Sequence, residues 1–429
     1  MYKAVVHLFD IFLISAMNIF LLRLPIWISL IASLIIYLGL YSFRVYDKDT
    51  MKSYTESLIR TILGTIIGFV GVLILYFFLD EFFNRHFFST NLLFTIFLLP
   101  ILHKVEYNIY EKYLPVRNYI VIGRKEDIGH IMDEISQKAM NKMIFVQYIN
   151  PSPVTLEKLV SEGKSAKEHT AKIHGIIVTD PQLEKEVKPQ IERYKTEGVD
   201  IQYLPTIAEK YLKRIPVEVV EKFADHYKIV FEEPKNSPTI RILDIIFSIV
   251  LIVISSPFLI ISMLAILIDD LVHKQKVEIF FKQERYGQNG RKFNLYKLKT
   301  MRRVINENGK LSDVVTKTGK ILRKFRLNEL PQLLNILKGD ISLVGPRPDI
   351  ESTKNFCERN IPFYSYRMMV PQGITGHAQV FFRYPEAVNK EIFSERLSYD
   401  LYYVKNYSTS LYMTTLLRTI ETVVMGRGK

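Results

Sequence analysis

Residues 321–350 bring basic side chains, a carboxylate and two prolines into one short stretch, ILRKFRLNELPQLLNILKGDISLVGPRPDI. Arg323 and Arg326 can meet an anionic substrate, and Glu329 can hold a divalent cation. Arg347 lies in a GPRP loop whose two prolines restrict the backbone, so its guanidinium can act as a preorganised clamp for phosphate oxygens. The combination is typical of phosphate chemistry, and it predicts Mg²⁺ at Glu329 because this ion bridges diphosphates.

The composition indicates a membrane protein with soluble parts. Of 429 residues 48% are hydrophobic, and they cluster in long blocks. The net charge of +13 predicts attraction to membrane lipids with anionic headgroups and to a phosphorylated substrate, and no nucleic-acid recognition motif is present. The single cysteine, Cys357, excludes an internal disulfide and a cysteine-based metal site.

The first quarter of the chain predicts a four-helix transmembrane unit over residues 1–115. Its apolar blocks, at about 4–22, 25–42, 57–79 and 87–103, each approach the roughly 20 residues that span a bilayer as a helix. Basic residues after the second and fourth blocks place both ends of the unit in the cytoplasm, and the N-terminus is expected to be a retained anchor. The alternative, a soluble bundle of buried helices, is disfavoured because few charges interrupt the blocks. For Asp10, inside the first block, a packing contact or a position near the helix end is favoured over a functional carboxylate.

Residues 116–232 predict an α/β, Rossmann-like middle domain. Short β-rich runs such as YIVIG and IHGIIVTD alternate with helical patterns, as in a parallel sheet. A strand ending at Gly123 invites a dinucleotide interpretation, but GRKEDIG lacks the G-x-G-x-x-G spacing. A packing or regulatory module is therefore the favoured interpretation.

A fifth apolar block, at about 242–268, predicts a re-entrant membrane helix. Pro257 near its middle should kink or break the helix, and the hydroxyls of Ser255 and Ser256 can satisfy backbone groups that the proline leaves free. Lysine and arginine flank the block on both sides, which satisfies the positive-inside bias if the segment enters and returns. A plain spanning helix is the alternative.

The final part of the chain resembles the bacterial sugar transferase family of polyprenol-phosphate phosphoglycosyl transferases. The resemblance rests on LNELPQLLNILKGDISLVGPRP, on FFKQERYGQNGRKFNLYKLKTM before it, and on GITGHAQV and YDLYYVKNYS after it, and covers about residues 239–429. It implies an α+β catalytic domain over 233–429, with a helix break at Ser256 and Pro257. The implied partners are polyprenol (undecaprenyl) phosphate, a nucleotide diphosphate sugar and membrane lipids; whether the protein forms a homo-oligomer is left open.

The resemblance also assigns roles to individual residues. Taken alone, Glu329 is compatible with a solvated helix face and Arg347 with a structural salt bridge, but the surrounding motifs favour metal and phosphate binding. Arg285, Lys297 and Lys299 lie in the region that the family comparison assigns to the substrate, and Lys299 stands where members often carry arginine. Together with Arg326, these residues form the predicted substrate-binding set.

One residue departs from the family pattern. Members usually carry an Asp-Glu pair before Leu-Pro-Gln, with the Asp as nucleophile, whereas this chain has Asn328 and Glu329. A carboxamide cannot form the acyl-phosphate that a carboxylate forms. Three interpretations follow: an initiating sugar-1-phosphate transferase of exopolysaccharide, O-antigen or capsule synthesis at the bacterial inner membrane, a catalytically silent scaffold or regulator of that pathway, or a substitution introduced to trap the enzyme.

Overall fold

The computed structural model describes residues 2–77, 79, 82–150, 152–165, 173–232, 235–273, 276–305, 311–382 and 389–424. The chain forms two compact units. The first comprises Met1–Leu212 together with Leu417–Lys429, and the second comprises Lys213–Leu416.

The first unit begins with a group of apolar helices. They are α1 (Tyr2–Phe20), α2 (Ile26–Ser42), the short α3 (Lys48–Lys52), α4 (Tyr54–Tyr76) and α5 (Arg85–Tyr113). Side chains that accept from backbone N–H groups cap two of them, Ser53 at α4 and Asn84 at α5. Each of the four predicted apolar blocks is therefore helical.

By length and composition, three helices of the described chain could cross a membrane: α4, α5 and a later helix, α13 (Pro238–Val272). The apolar stretches Val6–Phe20 and Ile26–Ser42 are shorter. The structure thus shows several apolar helices suited to a membrane, and four spanning helices stay a prediction.

Glycines let α2 and α4 approach at backbone distance. A Cβ atom on Gly68 would lie 2.7 Å from the Cα of Ile36, and one on Gly64 would lie 2.8 Å from the Cα of Leu40. Small residues at helix contacts permit the close packing that stabilises helices in lipid.

Asp10 makes a packing contact between helices, one of the two placements favoured from the sequence. Its Oδ2 lies 2.8 Å from Nε2 of His103 on α5, and both side chains are fully buried. A second buried contact joins α5 to α1, where Nδ2 of Asn91 donates to Oδ1 of Asn18 at 2.8 Å.

The rest of the first unit contains a four-stranded parallel sheet of order β2-β1-β3-β4. Its strands are β1 (Arg117–Ile122), β2 (Met143–Ile149), β3 (Ile173–Val178) and β4 (Asp200–Tyr203). The helices of this region are α6 (Lys125–Lys138), α7 (Pro153–Ser165), α8 (Pro181–Glu186), α9 (Lys188–Thr196) and α10 (Leu204–Leu212). The predicted alternation of short strands and helices is confirmed.

Thr179 closes the space at the end of β1. A Cβ atom on Gly123, whose φ is +155°, would collide with Oγ1 of Thr179, and that hydroxyl donates to the Ile122 carbonyl at 2.7 Å. The position beside Gly123 is therefore filled by a threonine side chain.

The second unit is a mixed α and β structure. Its helices are α11 (Val217–Lys222), α12 (Ala224–Glu232), α13, α14 (Lys317–Lys324), α15 (Gln332–Lys338), α16 (Glu351–Asn360), α17 (His377–Phe381), α18 (Lys390–Lys405) and the start of α19 (Thr409–Val424). Its strands are β5 (Phe280–Tyr286), β6 (Lys292–Leu298), β7 (Met301–Ile305), β8 (Leu311–Val315), β9 (Ser342–Val344) and β10 (Gly373–Thr375). β5 and β6 form an antiparallel hairpin around QERYGQNGRKF, and β9 pairs in parallel with β10.

α13 runs through Pro257 as one helix of 35 residues. The proline cannot donate to the carbonyl of Val253, and the hydroxyl of Ser256 donates to that oxygen instead, at 2.8 Å. The predicted use of a serine hydroxyl is therefore seen, while the helical backbone is not broken at the proline. A re-entrant path stays a prediction.

The first turns of α13 are fastened to the folded part of the second unit. Arg241 donates from Nη1 and Nη2 to the carbonyls of Ile336 and Leu337 at the end of α15, at 2.5 and 2.8 Å. Oδ1 of Asp244 accepts from the backbone N–H of Leu343 at 2.9 Å and from the Tyr412 hydroxyl at 2.8 Å. Beyond these turns the apolar side chains of α13 are largely exposed, as expected for contact with lipid.

Candidate functional site

The chain turns between α14 and the predicted metal ligand, Glu329, at a residue with a left-handed backbone conformation. Arg326 has a φ of +58°, a conformation that is uncommon for a residue with a side chain. It precedes a short 3₁₀ turn, Leu327–Glu329, and Pro331 then leads into α15. The turn therefore places Asn328 and Glu329 just before α15.

Glu329 lies between two predicted phosphate-binding arginines. Its Oε1 is 3.6 Å from Nη1 of Arg326 and 3.8 Å from Nη2 of Arg347, and its side chain is only 15% exposed. The structure thus brings together three sequence-predicted residues from two separate motifs.

The backbone of the GPRP loop is held between β9 and β10. The N–H of Gly345 donates to the Thr375 carbonyl at 2.8 Å, and the N–H of Gly373 donates to the Pro346 carbonyl at 2.9 Å. A Cβ atom on Gly373 would overlap the backbone of Gly345, so glycine is required for this approach. Arg347 is consequently carried on a fixed support.

Lys297 on β6 faces the same cluster of charges. Burial lowers the pKa of its ammonium to about 8, against the opposing effect of Glu329. Arg347 and Arg285 lower this pKa further through like-charge repulsion. Lys297 is therefore a cation in a place already crowded with positive charge, which favours occupation by an anion.

Two other predicted residues have protein partners. Arg285 donates from Nη1 to the Pro348 carbonyl at 3.1 Å, and burial, with Arg347 adding to it, lowers its pKa to about 10. Nζ of Lys299 lies 3.1 and 3.2 Å from the two carboxylate oxygens of Asp270. Their substrate contacts stay a prediction, while their observed contacts hold the GPRP loop and the end of α13.

Asn328 presents an uncommitted carboxamide. Within the described ranges its side chain makes no hydrogen bond. Nearby carboxylates could serve as a nucleophile in place of an aspartate at position 328, but two of them have protein partners. Asp349 is buried against Arg367, and Asp340 accepts from the Asn335 amide at 2.9 Å. Among these possible nucleophiles, Glu329 is the one whose carboxylate lies beside Arg326 and Arg347.

The donor set at Glu329 fits a substrate-assisted magnesium site. No group of three or more His, Cys, Asp or Glu side chains suited to a metal occurs in the described part of the chain. Mg²⁺ commonly binds through one or two carboxylates together with substrate phosphates and water, so a single carboxylate beside two arginines that are predicted to bind phosphate is compatible with the predicted ion.

Sequence reasoning missed a buried network beneath the GPRP loop. It joins Asp349 to Arg367 and Arg396, and both arginines to Asp400. Asp349 and Asp400 lie within recognisable motifs, GPRPD and YDLYYV, and Arg396 precedes Asp400 by four residues on α18. Arg367 has no local signal, because Asp349 and Asp400 are 18 and 33 residues away from it.

Comparison with known proteins adds an independent line of information. Residues 235–426 match the family described as bacterial sugar transferase. A UDP-N-acetylgalactosamine-undecaprenyl-phosphate N-acetylgalactosaminephosphotransferase of Aeromonas hydrophila is 39% identical over 155 residues, which is 35% of this chain and 36% of the relative. A UDP-glucose:undecaprenyl-phosphate glucose-1-phosphate transferase of Caulobacter vibrioides is 33% identical over 191 residues, 43% of this chain and 69% of the relative. An uncharacterized sugar transferase, EpsL, of Bacillus subtilis is 40% identical over 157 residues, 35% of this chain and 72% of the relative.

Proposed function

The chain belongs to the bacterial sugar transferase family, and on this basis we propose that it transfers a sugar 1-phosphate from a nucleotide diphosphate sugar to undecaprenyl phosphate. The product is the lipid-linked first sugar of an exopolysaccharide, O-antigen or capsule repeat. The activities for which the Aeromonas and Caulobacter relatives are named support the two substrates.

The arrangement of Arg326, Glu329 and Arg347 carries the proposal. Joining two phosphorylated substrates requires neutralisation of their charge and alignment of the reacting oxygens. Arg347, on its fixed loop, can fork onto phosphate oxygens, and Arg326 and Lys297 add positive charge nearby. Glu329 would hold Mg²⁺, which supplies further charge neutralisation on the diphosphate.

Asn328 favours a single displacement in this chain. An oxygen of undecaprenyl phosphate forms a bond to the sugar-bearing phosphorus of the nucleotide diphosphate sugar. The bond from that phosphorus to the bridging oxygen breaks, and the nucleoside monophosphate leaves with the electron pair. No carboxylate at position 328 is needed for this route.

The membrane placement is part of the proposal. We place four spanning helices in residues 1–115, a Rossmann-like domain in 116–232 and the transferase domain in 233–429. α13 enters and leaves on the cytoplasmic side of the bacterial inner membrane, and the soluble domains are cytoplasmic, where nucleotide sugars occur. The exposed apolar surface of α13 and its basic flanks support this topology.

A turnover assay tests the proposal. Purified protein is incubated with Mg²⁺, undecaprenyl phosphate and a panel of UDP-sugars, and release of UMP is measured. We expect lipid-dependent UMP release with at least one sugar, and a large fall in its rate to a low but measurable level in Arg347→Ala.

If UDP-sugars give no release, the panel is extended to other nucleotide sugars, and a folded protein that releases no nucleoside monophosphate with any of them would overturn the transferase function. That outcome would favour the second candidate function, a catalytically silent scaffold or regulator. The observation that supports this candidate is Asn328, which has no nucleophilic carboxylate.

A further inference from the structure

The backbone carbonyls of the GPRP loop accept hydrogen bonds from side chains outside the loop. Pro346 and Pro348 have no backbone N–H, so the loop is fixed largely through its carbonyl groups. The Tyr403 hydroxyl donates to the Val344 carbonyl at 3.1 Å, and Arg285 donates to that of Pro348. The carbonyl between the two prolines, that of Arg347, accepts from two side chains.

Two buried guanidinium groups meet at the Arg347 carbonyl. Nη2 of Arg367 donates to it at 2.8 Å, and Nη2 of Arg396 donates to it at 2.9 Å. Arg367 is 1% exposed and Arg396 5% exposed. Hydrogen bonds from charged donors are about twice as strong as neutral ones, so this carbonyl is held in both position and direction.

The two arginines are themselves held by two buried carboxylates. Arg367 contacts Asp349, and its Nε lies 2.9 Å from Oδ2 of Asp400. Nη1 of Arg396 lies 3.2 Å from Oδ1 of Asp349. The hydroxyl of Tyr364 donates to Asp349 at 2.8 Å. Two positive and two negative charges therefore balance in the interior, as buried ions require.

We propose that Arg367 and Arg396 are positioning residues, which act on the reaction by fixing the backbone of Arg347 so that its guanidinium meets the substrate phosphate. The proposal rests on the proposed transferase function. Neither arginine needs to touch substrate, and the effect of each passes through the side chain of Arg347.

Arg396→Lys is the variant of choice. It retains a positive charge near Asp349 and Asp400, but one ammonium cannot reproduce the planar fork that serves both a carboxylate and the Arg347 carbonyl. Arg214→Lys is a matched control, because Arg214 is a buried arginine like Arg396 and also forms an ion pair with α18. Its Nη1 lies 3.1 Å from the carboxylate of Glu395, the residue that precedes Arg396 on this helix.

A double-mutant cycle in the full-length protein separates positioning from general structural damage. Alone, Arg396→Lys should lower kcat/KM at least about tenfold, because a misplacement of about 1 Å can cost on the order of 10²-fold. In an Arg347→Ala background the same change should lower kcat/KM by less than about twofold, because the two residues act as a unit. Arg214→Lys should have similar small effects in both backgrounds.

Hydrogen exchange of the segment 342–350 supplies a readout that does not need activity. Exchange should be faster in Arg396→Lys than in wild type, and unchanged in Arg214→Lys. Unchanged exchange in Arg396→Lys, or equal losses of kcat/KM in both backgrounds, would overturn the positioning role. An inactive wild-type protein would overturn the proposed function, and the exchange comparison would then decide the positioning role alone.

Discussion

At the scale of single residues, the neighbours Asn328 and Glu329 differ in the chemistry that their side chains allow. Asn328 is neutral and has no nucleophilic carboxylate, whereas the carboxylate of Glu329 lies between Arg326 and Arg347. A carboxylate restored at position 328 would enter the same cationic surroundings, which favour its ionised form.

Asn328→Asp should therefore create a covalent route. Incubated with radiolabelled nucleotide sugar and no lipid acceptor, this variant should retain a phosphosugar label, and wild-type protein should not. The radioactivity bound to denatured protein is the measurement, and Asn328→Gln is the control. Label on wild-type protein would assign the nucleophile elsewhere, and an inert Asn328→Asp with every sugar would favour the scaffold.

Glu329→Gln should abolish turnover or sharply raise the magnesium concentration needed for it. The substitution removes the charge that would attract the ion while keeping nearly the same shape. Initial rates are measured against magnesium concentration, and Glu284→Gln serves as a control because that glutamate pairs with Lys292 on the β5–β6 hairpin, with both side chains at least half exposed. An unchanged magnesium dependence in Glu329→Gln would move the ion to other ligands.

Lys297 should make nucleotide-sugar binding sensitive to alkaline pH. Its pKa in the folded protein is about 8, below its ordinary value, so the side chain loses its charge as pH rises through 8. KM for the nucleotide sugar should accordingly rise above pH 8. In Lys297→Arg this rise should disappear, because a guanidinium stays charged. A bound diphosphate stabilises the charged form of Lys297. The pH at which kcat falls to half its maximum should therefore be higher than the pH at which kcat/KM does so.

At the scale of elements, the apolar blocks, the βα alternation and the β5–β6 hairpin could all be predicted from the sequence. Length, periodicity and turn residues are local properties of a segment. The continuous path of α13 through Pro257 could not be predicted from the sequence. A helix can continue past a proline when a neighbouring hydroxyl donates to the carbonyl that the proline leaves free, as Ser256 does for Val253.

A labelling experiment tests the re-entrant path of α13. Single cysteines are introduced as Asn236→Cys and Lys276→Cys, with Cys357 replaced by serine, at positions before and after the helix. Basic residues flank both ends, so both cysteines should react with a membrane-impermeant reagent only from the cytoplasmic side. Reaction of either cysteine from outside would show that the helix spans the membrane.

At the scale of the whole molecule, residues distant in the sequence form a buried ion-pair cluster within the first unit. Glu421, near the C-terminus, is 2% exposed and pairs with Nη1 of Arg60 at 2.5 Å and with Nε of Arg44 at 2.8 Å. This contact could not be predicted, since the pairing of residues 361 positions apart leaves no pattern in either segment. The same limit applies to the arginines beneath the GPRP loop, which lie 20 and 49 residues from the carbonyl they bind.

Glu421→Gln should destabilise the first unit. Removal of one partner from a buried ion pair typically costs about 3–5 kcal/mol, because the remaining charge stays buried. The thermal midpoint of purified protein in detergent is the measurement. Glu56→Gln is a matched control, since Glu56 contacts the same Arg60 but its side chain is 43% exposed; this change should cost no more than about 1 kcal/mol. Equal midpoints in the two variants would contradict the structural role of Glu421.

The bonds that hold the GPRP loop are made to its backbone, which leaves the side chain at position 347 chemically independent of the loop that carries it. Position 347 is therefore suited to replacement by unnatural amino acids. Citrulline, which matches arginine in shape but is neutral, would remove the charge while the loop keeps its path. A photoreactive side chain at the same point would report which phosphorylated molecule occupies the site in living cells.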